Sequence, residues 1–147
     1  MANPGPAITN SAHPSNVTTN QSYRLLAVLK NINANAVQNL AVQVNNSNAY
    51  LVKDLVVTNL NNAGVAVTPT GLALGVATSN GGSSLFGSIT AANLSAPLGV
   101  SYVTASSLTT AQSVQTLYVN VTAGLTTPVT GATFDVYVYG LDFSTSN

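Results

Sequence analysis

The sequence predicts an all-β protein, and more specifically an antiparallel β-sandwich. Apolar or alternating segments recur along its 147 residues at the spacing of about 8 to 12 residues typical of sandwiches and barrels. Asn- and Gly-rich turns separate them, as in NNAG (61–64) and SNGGSS (79–84). No stretch keeps the 3.6-residue apolar period of an amphipathic helix. A jelly-roll is the favoured arrangement, and a fibronectin-like sandwich is the alternative.

The first half of the chain contains three predicted strands: YRLLAVLKNI (23–32), VQNLAVQV (37–44) and YLVKDLVVTNL (50–60). The first of them is apolar on both faces, with Leu26 and Val28 on one side and Leu25 and Leu29 on the other. That pattern is typical of a strand that is covered on both sides.

Five further segments bring the count to about eight strands: VAVT (65–68), GLALGVAT (71–78), LGVSYVTA (98–105) and two strands within LYVNVTAGLTTPVTGATFDVYVYG (117–140). The last two flank a loop of Thr, Pro and Gly, which predicts a β-hairpin.

Residues 1–21 are predicted to form an extended N-terminal arm, and residues 22–147 the sandwich domain. The arm holds Pro4, Pro6 and Pro14 among small and polar neighbours. Proline lowers the entropy that is lost when a segment is laid down in extended form. We therefore expect these prolines to take part in an interface with a neighbouring subunit; the alternative is an end of the chain that is simply disordered.

Charge is the unusual feature of the composition. Charged residues make up 4% of the chain, three basic against three acidic, where roughly 25% is ordinary. Free monomers are normally kept apart in solution by many charges, so we expect other subunits to cover much of this surface. Three cations are too few to neutralise a run of phosphates, so no nucleic-acid partner is expected. No secretion signal and no spanning segment is recognised, and we expect synthesis in the cytoplasm and no membrane partner.

The sequence offers little for catalysis. The single histidine, His13, lies in the proline-rich arm, where nothing would fix its geometry. Asp135 is predicted to accept a hydrogen bond from a neighbouring hydroxyl or amide. A calcium site built from Asp135 or Asp142 with loop carbonyls is an alternative. No phosphate-binding loop, dinucleotide fingerprint or zinc spacing occurs. We expect no catalytic residues, no cofactor and no metal.

The predicted hairpin has one aliphatic face and one tyrosine face. Its aliphatic face should be core. The other face would carry Tyr118, Tyr137 and Tyr139 together. Tyrosine is enriched at interfaces because it buries a ring and still satisfies its hydroxyl. These three tyrosines are the predicted subunit interface; the alternative is that they only pair across strands on an outer face.

Two stretches, 50–87 and 117–140, resemble small structural proteins of tailed phages. In those proteins a strand ending in VVTN leads to a Gly-x-x-x-Gly…Gly-Gly stretch, followed by an LY-x-x-V strand and a closing D-V-Y-V-x-G strand, as in this chain. The proteins concerned are head decoration (cement) proteins. The resemblance implies a β-sandwich on the outside of an icosahedral capsid, clamping neighbouring major capsid proteins, with no catalytic residues.

The resemblance therefore predicts a virion structural protein whose partner is the major capsid protein and whose location is the outer capsid surface. A component of the phage tail, baseplate or fibre is the second hypothesis, and a carbohydrate-binding or adhesin module is the third. The low charge and the tyrosine face also predict a homo-oligomer, a dimer or a trimer.

Overall fold

The computed structural model describes residues 23–45, 47, 49–87, 89–94, 101–104 and 110–143. These residues form nine β-strands and no helix. The strands are β1 (Tyr23–Asn33), β2 (Gln38–Gln43), β3 (Tyr50–Asn62), β4 (Val65–Ala66), β5 (Ala73–Ala77), β6 (Ile89–Thr90), β7 (Ser101–Thr104), β8 (Thr116–Ala123) and β9 (Thr133–Asp142). The all-β prediction is confirmed, although the short strand β6 was not predicted.

The strands form two antiparallel sheets. In sheet A, β9 lies between β1 and β3, and β3 pairs further with β7 and, at its end, with β4. Sheet B has the order β2-β8-β5-β6. Aliphatic side chains from both sheets form one buried cluster between them. The prediction of a β-sandwich is confirmed.

The predicted arm (1–21) lies outside the described residues, and so do Pro4, Pro6, Pro14 and His13. The boundary between arm and domain therefore stays a prediction.

The predicted hairpin of residues 117–140 is wrong. β8 pairs with β2 and β5, whereas β9 pairs with β1 and β3. The connection between β8 and β9 passes from one sheet to the other. Both aliphatic faces do point into the core, where Val119 and Phe134 are fully buried, but they reach it from opposite sides. An alternating pattern specifies which face of a strand is buried, but it does not specify which strand pairs with it.

Hydrogen bonds join two of the connections that cross between the sheets, β1–β2 and β8–β9. The β1–β2 connection meets the β8–β9 connection through Ala34, whose amide donates to the Ala132 carbonyl (3.0 Å) and whose carbonyl accepts from Leu125 (2.9 Å). The Asn35 side chain adds two bonds to the main chain of Val129, at 2.8 and 2.9 Å. These contacts fix how the sheets face each other.

A buried ion pair holds the other end of β1 against β9. The side chain of Asp142 is fully buried, and Arg24 Nη1 lies 3.2 Å from its Oδ2. The hydroxyl of Ser47 donates to the same oxygen at 2.8 Å, and Arg24 also donates to the Asn45 carbonyl in the β2–β3 connection. Asp142, considered above as a calcium ligand, thus has a guanidinium as its cation.

We predict that Arg24→Ala lowers the free energy of unfolding by about 3–5 kcal/mol, because it leaves a buried carboxylate without its cation. Denaturant unfolding measures the loss. The control is the double variant Arg24→Met/Asp142→Leu, which removes both charges and should recover most of the stability. An Arg24→Ala protein as stable as the wild type would contradict the prediction.

Tyr50, at the start of β3, is the largest fully buried side chain of the core. Its hydroxyl donates to the Val114 carbonyl at 2.8 Å. Burial disfavours the charged phenolate and raises the pKa of Tyr50 to about 12. The folded protein therefore keeps this proton at a pH where the unfolded chain releases it.

Stability should consequently fall at alkaline pH. The contribution of Tyr50 is complete below the tyrosine pKa of the unfolded chain, about 10. It is lost as the pH rises towards 12, at up to about 1.4 kcal/mol per pH unit. Denaturant unfolding measured from pH 8 upwards tests this expectation. In Tyr50→Phe the dependence on pH should be shallower by that slope, and an unchanged slope would exclude Tyr50 as its source.

Candidate functional site

The outer side of sheet A is the most distinctive surface of the described chain. Paired residues on neighbouring antiparallel strands have their side chains on the same face. Val28 of β1 and Val56 of β3 both pair with Tyr137 of β9, and equivalent rows lie on either side of this one. We call this face the tyrosine surface; its residues are Tyr23, Leu25, Val28, Leu51, Asp54, Val56, Thr58, Asp135, Tyr137, Tyr139 and Leu141.

The sequence of β1 explains why this surface is apolar. β1 is hydrophobic on both faces, and Leu26 and Ala27 fill the core, where a register shift between Leu25 and Ala27 places two consecutive residues inside. Leu25 and Val28 face outwards and stay partly exposed. The predicted cover on the second side of β1 is therefore incomplete within the described chain. Exposed apolar side chains that adjoin one another mark sites of interaction.

Each aromatic ring of the tyrosine surface has a neighbour within the protein. Tyr23 and Tyr139 stack with ring centroids 6.1 Å apart and planes at 8°, although Tyr23 remains half exposed. The Tyr23 hydroxyl donates to Asp54. The Lys30 ammonium lies 6.0 Å from the centre of the Tyr137 ring, within reach of a cation–π attraction. The tyrosines are thus oriented by partners inside the protein.

Two carboxylates lie in the tyrosine surface and are nevertheless buried. Asp54 is 5% exposed and Asp135 is 7% exposed. Asp135 Oδ1 accepts the amide hydrogen of Asn31 at 2.9 Å, as predicted for an acceptor of a neighbouring amide. Asn31 has a positive φ of 57° and sits in a register shift of β1 between Leu29 and Ile32. Asp135 therefore supports an irregular turn of β1 that regular pairing would not satisfy.

The structure separates the three predicted interface tyrosines. Tyr137 and Tyr139 lie together on the tyrosine surface, but Tyr118 projects from the outer face of sheet B, where it pairs with Ala41 and Ala77. The prediction of a single face that contains all three tyrosines is wrong, because it assumed that β8 and β9 pair as a hairpin. Sequence reasoning also missed Tyr23. Its place at the start of the first predicted strand, two positions before Leu25, was the signal that could have identified it.

Both buried carboxylates of the tyrosine surface accept hydrogen bonds, and most of its other side chains are aromatic or aliphatic. Among the residues that the structure describes, no three His, Cys, Asp or Glu side chains gather as a metal site requires. The same residues contain no helix able to cross a membrane.

Comparison with known proteins adds no identification. No family model matches the chain, and neither a curated protein nor a solved structure matches it.

We predict that Asp135→Ala lowers the free energy of unfolding by about 1–3 kcal/mol, because the main-chain amide of Asn31 loses its charged acceptor. Asp135→Asn is the matched control: it keeps an acceptor oxygen at the same place and should lose less. Denaturant unfolding of both variants is the measurement. Equal losses would show that the charge of Asp135, and not its hydrogen bond to Asn31, supports the bulge.

Proposed function

We propose that the protein is a non-enzymatic structural protein of a tailed-phage virion, and specifically a capsid decoration (cement) protein. In this role it binds the outside of the head and stabilises contacts between major capsid proteins. The observation that carries the proposal is the tyrosine surface: a partly exposed aromatic and aliphatic sheet face whose buried carboxylates are already engaged. Aromatic residues are enriched, and charged residues depleted, at the centres of protein interfaces.

We further infer that the sandwich is a jelly-roll. With β4 set aside, sheet A reads β1-β9-β3-β7 and sheet B reads β2-β8-β5-β6. In this order the first strand adjoins the last (β1 and β9), and the second adjoins the one before the last (β2 and β8). Every connection except β5–β6 crosses between the sheets, as two interlocked Greek keys require. Jelly-rolls are common in viral capsid proteins. The strand order therefore agrees with a virion role, although a fold alone does not assign a function.

The charge content supports a surface that is covered by other subunits. Lys30 lies over a tyrosine ring, and Arg24 and Asp142 neutralise each other in the interior. Little charge remains to keep copies of the chain apart in solution. A homo-oligomer, either a dimer or a trimer, would cover such a surface, as would attachment to the major capsid protein.

We predict that Tyr137→Lys weakens binding to undecorated capsids at least about tenfold, because it places a charge in the centre of an apolar contact. Tyr118→Lys is the matched control: the same substitution on the outer face of sheet B should leave capsid binding unchanged. Co-sedimentation of each protein with capsids measures occupancy, and circular dichroism confirms that each variant is folded.

Copy number provides the second test. A decoration protein should be present in hundreds of copies per particle, in fixed ratio to the major capsid protein, and quantitative mass spectrometry of purified virions measures that ratio. A handful of copies would favour a tail, baseplate or fibre component. Equal loss of binding in the Tyr118 and Tyr137 variants would exclude the tyrosine surface as the contact.

A further inference from the structure

A pocket lies on the opposite side of the molecule, on the outer face of sheet B. The loop that follows β5 packs back against this face, and the space between loop and sheet has a volume of about 390 Å³. Ligand pockets in proteins typically measure roughly 300–1,000 Å³. The residues that matter for its chemistry are Gly75, Gly82, Ser83, Ser84, Asn120 and Thr122. None of them carries a charge.

Asn120, on β8, supplies the decisive observation. It is only 4% exposed, its Nδ2 donates to the Gly82 carbonyl at 3.3 Å, and its Oδ1 has no hydrogen-bond partner among the described residues. The orientation of the amide follows from these contacts, since exchanging the two atoms would set two carbonyl oxygens against each other. Buried polar atoms in proteins are nearly always paired. Asn120 Oδ1 is thus an unsatisfied acceptor at the pocket wall, and a ligand reaches it by displacing the groups that cover it.

Ser84 supplies the complementary group. Its Oγ accepts the amide hydrogens of Val76 at 3.3 Å and Phe86 at 3.2 Å. A hydroxyl has two lone pairs and one proton, so what Ser84 has left to offer is its O–H as a donor. The pocket therefore presents one acceptor and one donor in a neutral setting.

We propose that this pocket binds the hydroxyl groups of a neutral carbohydrate. The hydroxyl groups of a sugar can donate to an acceptor such as Asn120 Oδ1 and accept from a donor such as the Ser84 hydroxyl. Tyr118 lies two positions before Asn120 on the same face of β8, and its cross-strand neighbours are alanines, Ala41 and Ala77. Tyr118 is partly exposed, and an exposed aromatic ring is a surface on which the C–H face of a sugar ring packs.

A peptide main chain carries the same donor and acceptor pair but suits this position less. Extended peptides bind where a strand has a free edge. β8 is paired on both sides, with β2 and with β5, and the pocket lies over its middle. The carbohydrate site does not depend on the proposed virion role, because it uses the face opposite the tyrosine surface.

The test is a titration of the isotope-labelled full-length protein, followed by NMR. The probes are glucose, galactose and mannose as free sugars, dextran as a neutral polysaccharide, and N-acetylglycine methylamide as a neutral peptide. We expect saturable shifts of the Gly82 and Ser84 amides with at least one of the carbohydrate probes. A response to dextran but to none of the free sugars would assign the site to a polysaccharide chain.

Three variants locate the binding. Asn120→Val removes the acceptor, and Ser83→Tyr fills the pocket from its exposed wall; each should weaken carbohydrate binding at least about tenfold. Asn39→Ala is the matched control, since Asn39 pairs with Asn120 from β2 but does not line the pocket. It should bind as the wild type does.

Thermal stability separates a role in binding from a role in the fold. Asn120→Val removes the unsatisfied oxygen but also the hydrogen bond to the Gly82 carbonyl, so its Tm should fall. Ser83 is exposed, so Ser83→Tyr should keep the Tm of the wild type and still lose carbohydrate binding. The proposal is overturned if no carbohydrate shifts these amides, if both pocket variants still bind, or if the peptide probe binds in place of the sugars.

Discussion

The constraint on which the rest of the structure depends is that each strand of a two-sheet sandwich can bury only one face. β1 and β9 carry apolar or aromatic residues on both of their faces. Their inner faces, with Leu26 and Phe134, are used in the core. Their outer faces therefore leave apolar and aromatic side chains partly exposed to solvent. Because only 4% of the residues are charged, few charged side chains lie between them. The tyrosine surface is the direct result of this constraint.

Most of the fold could be predicted, because each strand has a recognisable pattern in its own local sequence. Alternation and turn residues located eight of the nine strands, and the NNAG turn is confirmed, with Ala63 and Gly64 at positive φ and Asn61 accepting the Gly64 amide hydrogen. Pairing could not be predicted in the same way, because it is set by long-range packing. β8 and β9 adjoin in sequence but belong to different sheets, and no local pattern distinguishes that crossing from a hairpin.

In the candidate site, too, the features set by local sequence could be predicted, and those set by strand pairing could not. Tyr137 and Tyr139 share a strand, so their shared face follows from sequence alone. Tyr118 was placed on the same face only because β8 and β9 were predicted to pair with each other. The buried positions of Asp54 and Asp135 depend on register shifts in β1 and β3, and an extra residue in a strand leaves no mark that a two-residue period reveals. The structure was needed to show that both carboxylates are engaged.

The two outer faces of the sandwich have become chemically different through the loops. On sheet B, the loop after β5 can approach the strands because Gly75 has no side chain: a Cβ there would lie 2.6 Å from Ser84 Cβ. That approach buries the Asn120 amide, whose oxygen has no partner among the residues that the structure describes. On sheet A, the side chains of β1, β9 and β3 satisfy one another and leave carbon exposed. One face therefore offers hydrogen bonds and the other offers apolar area, and this difference is why we propose a protein partner for the one side and a neutral polar ligand for the other.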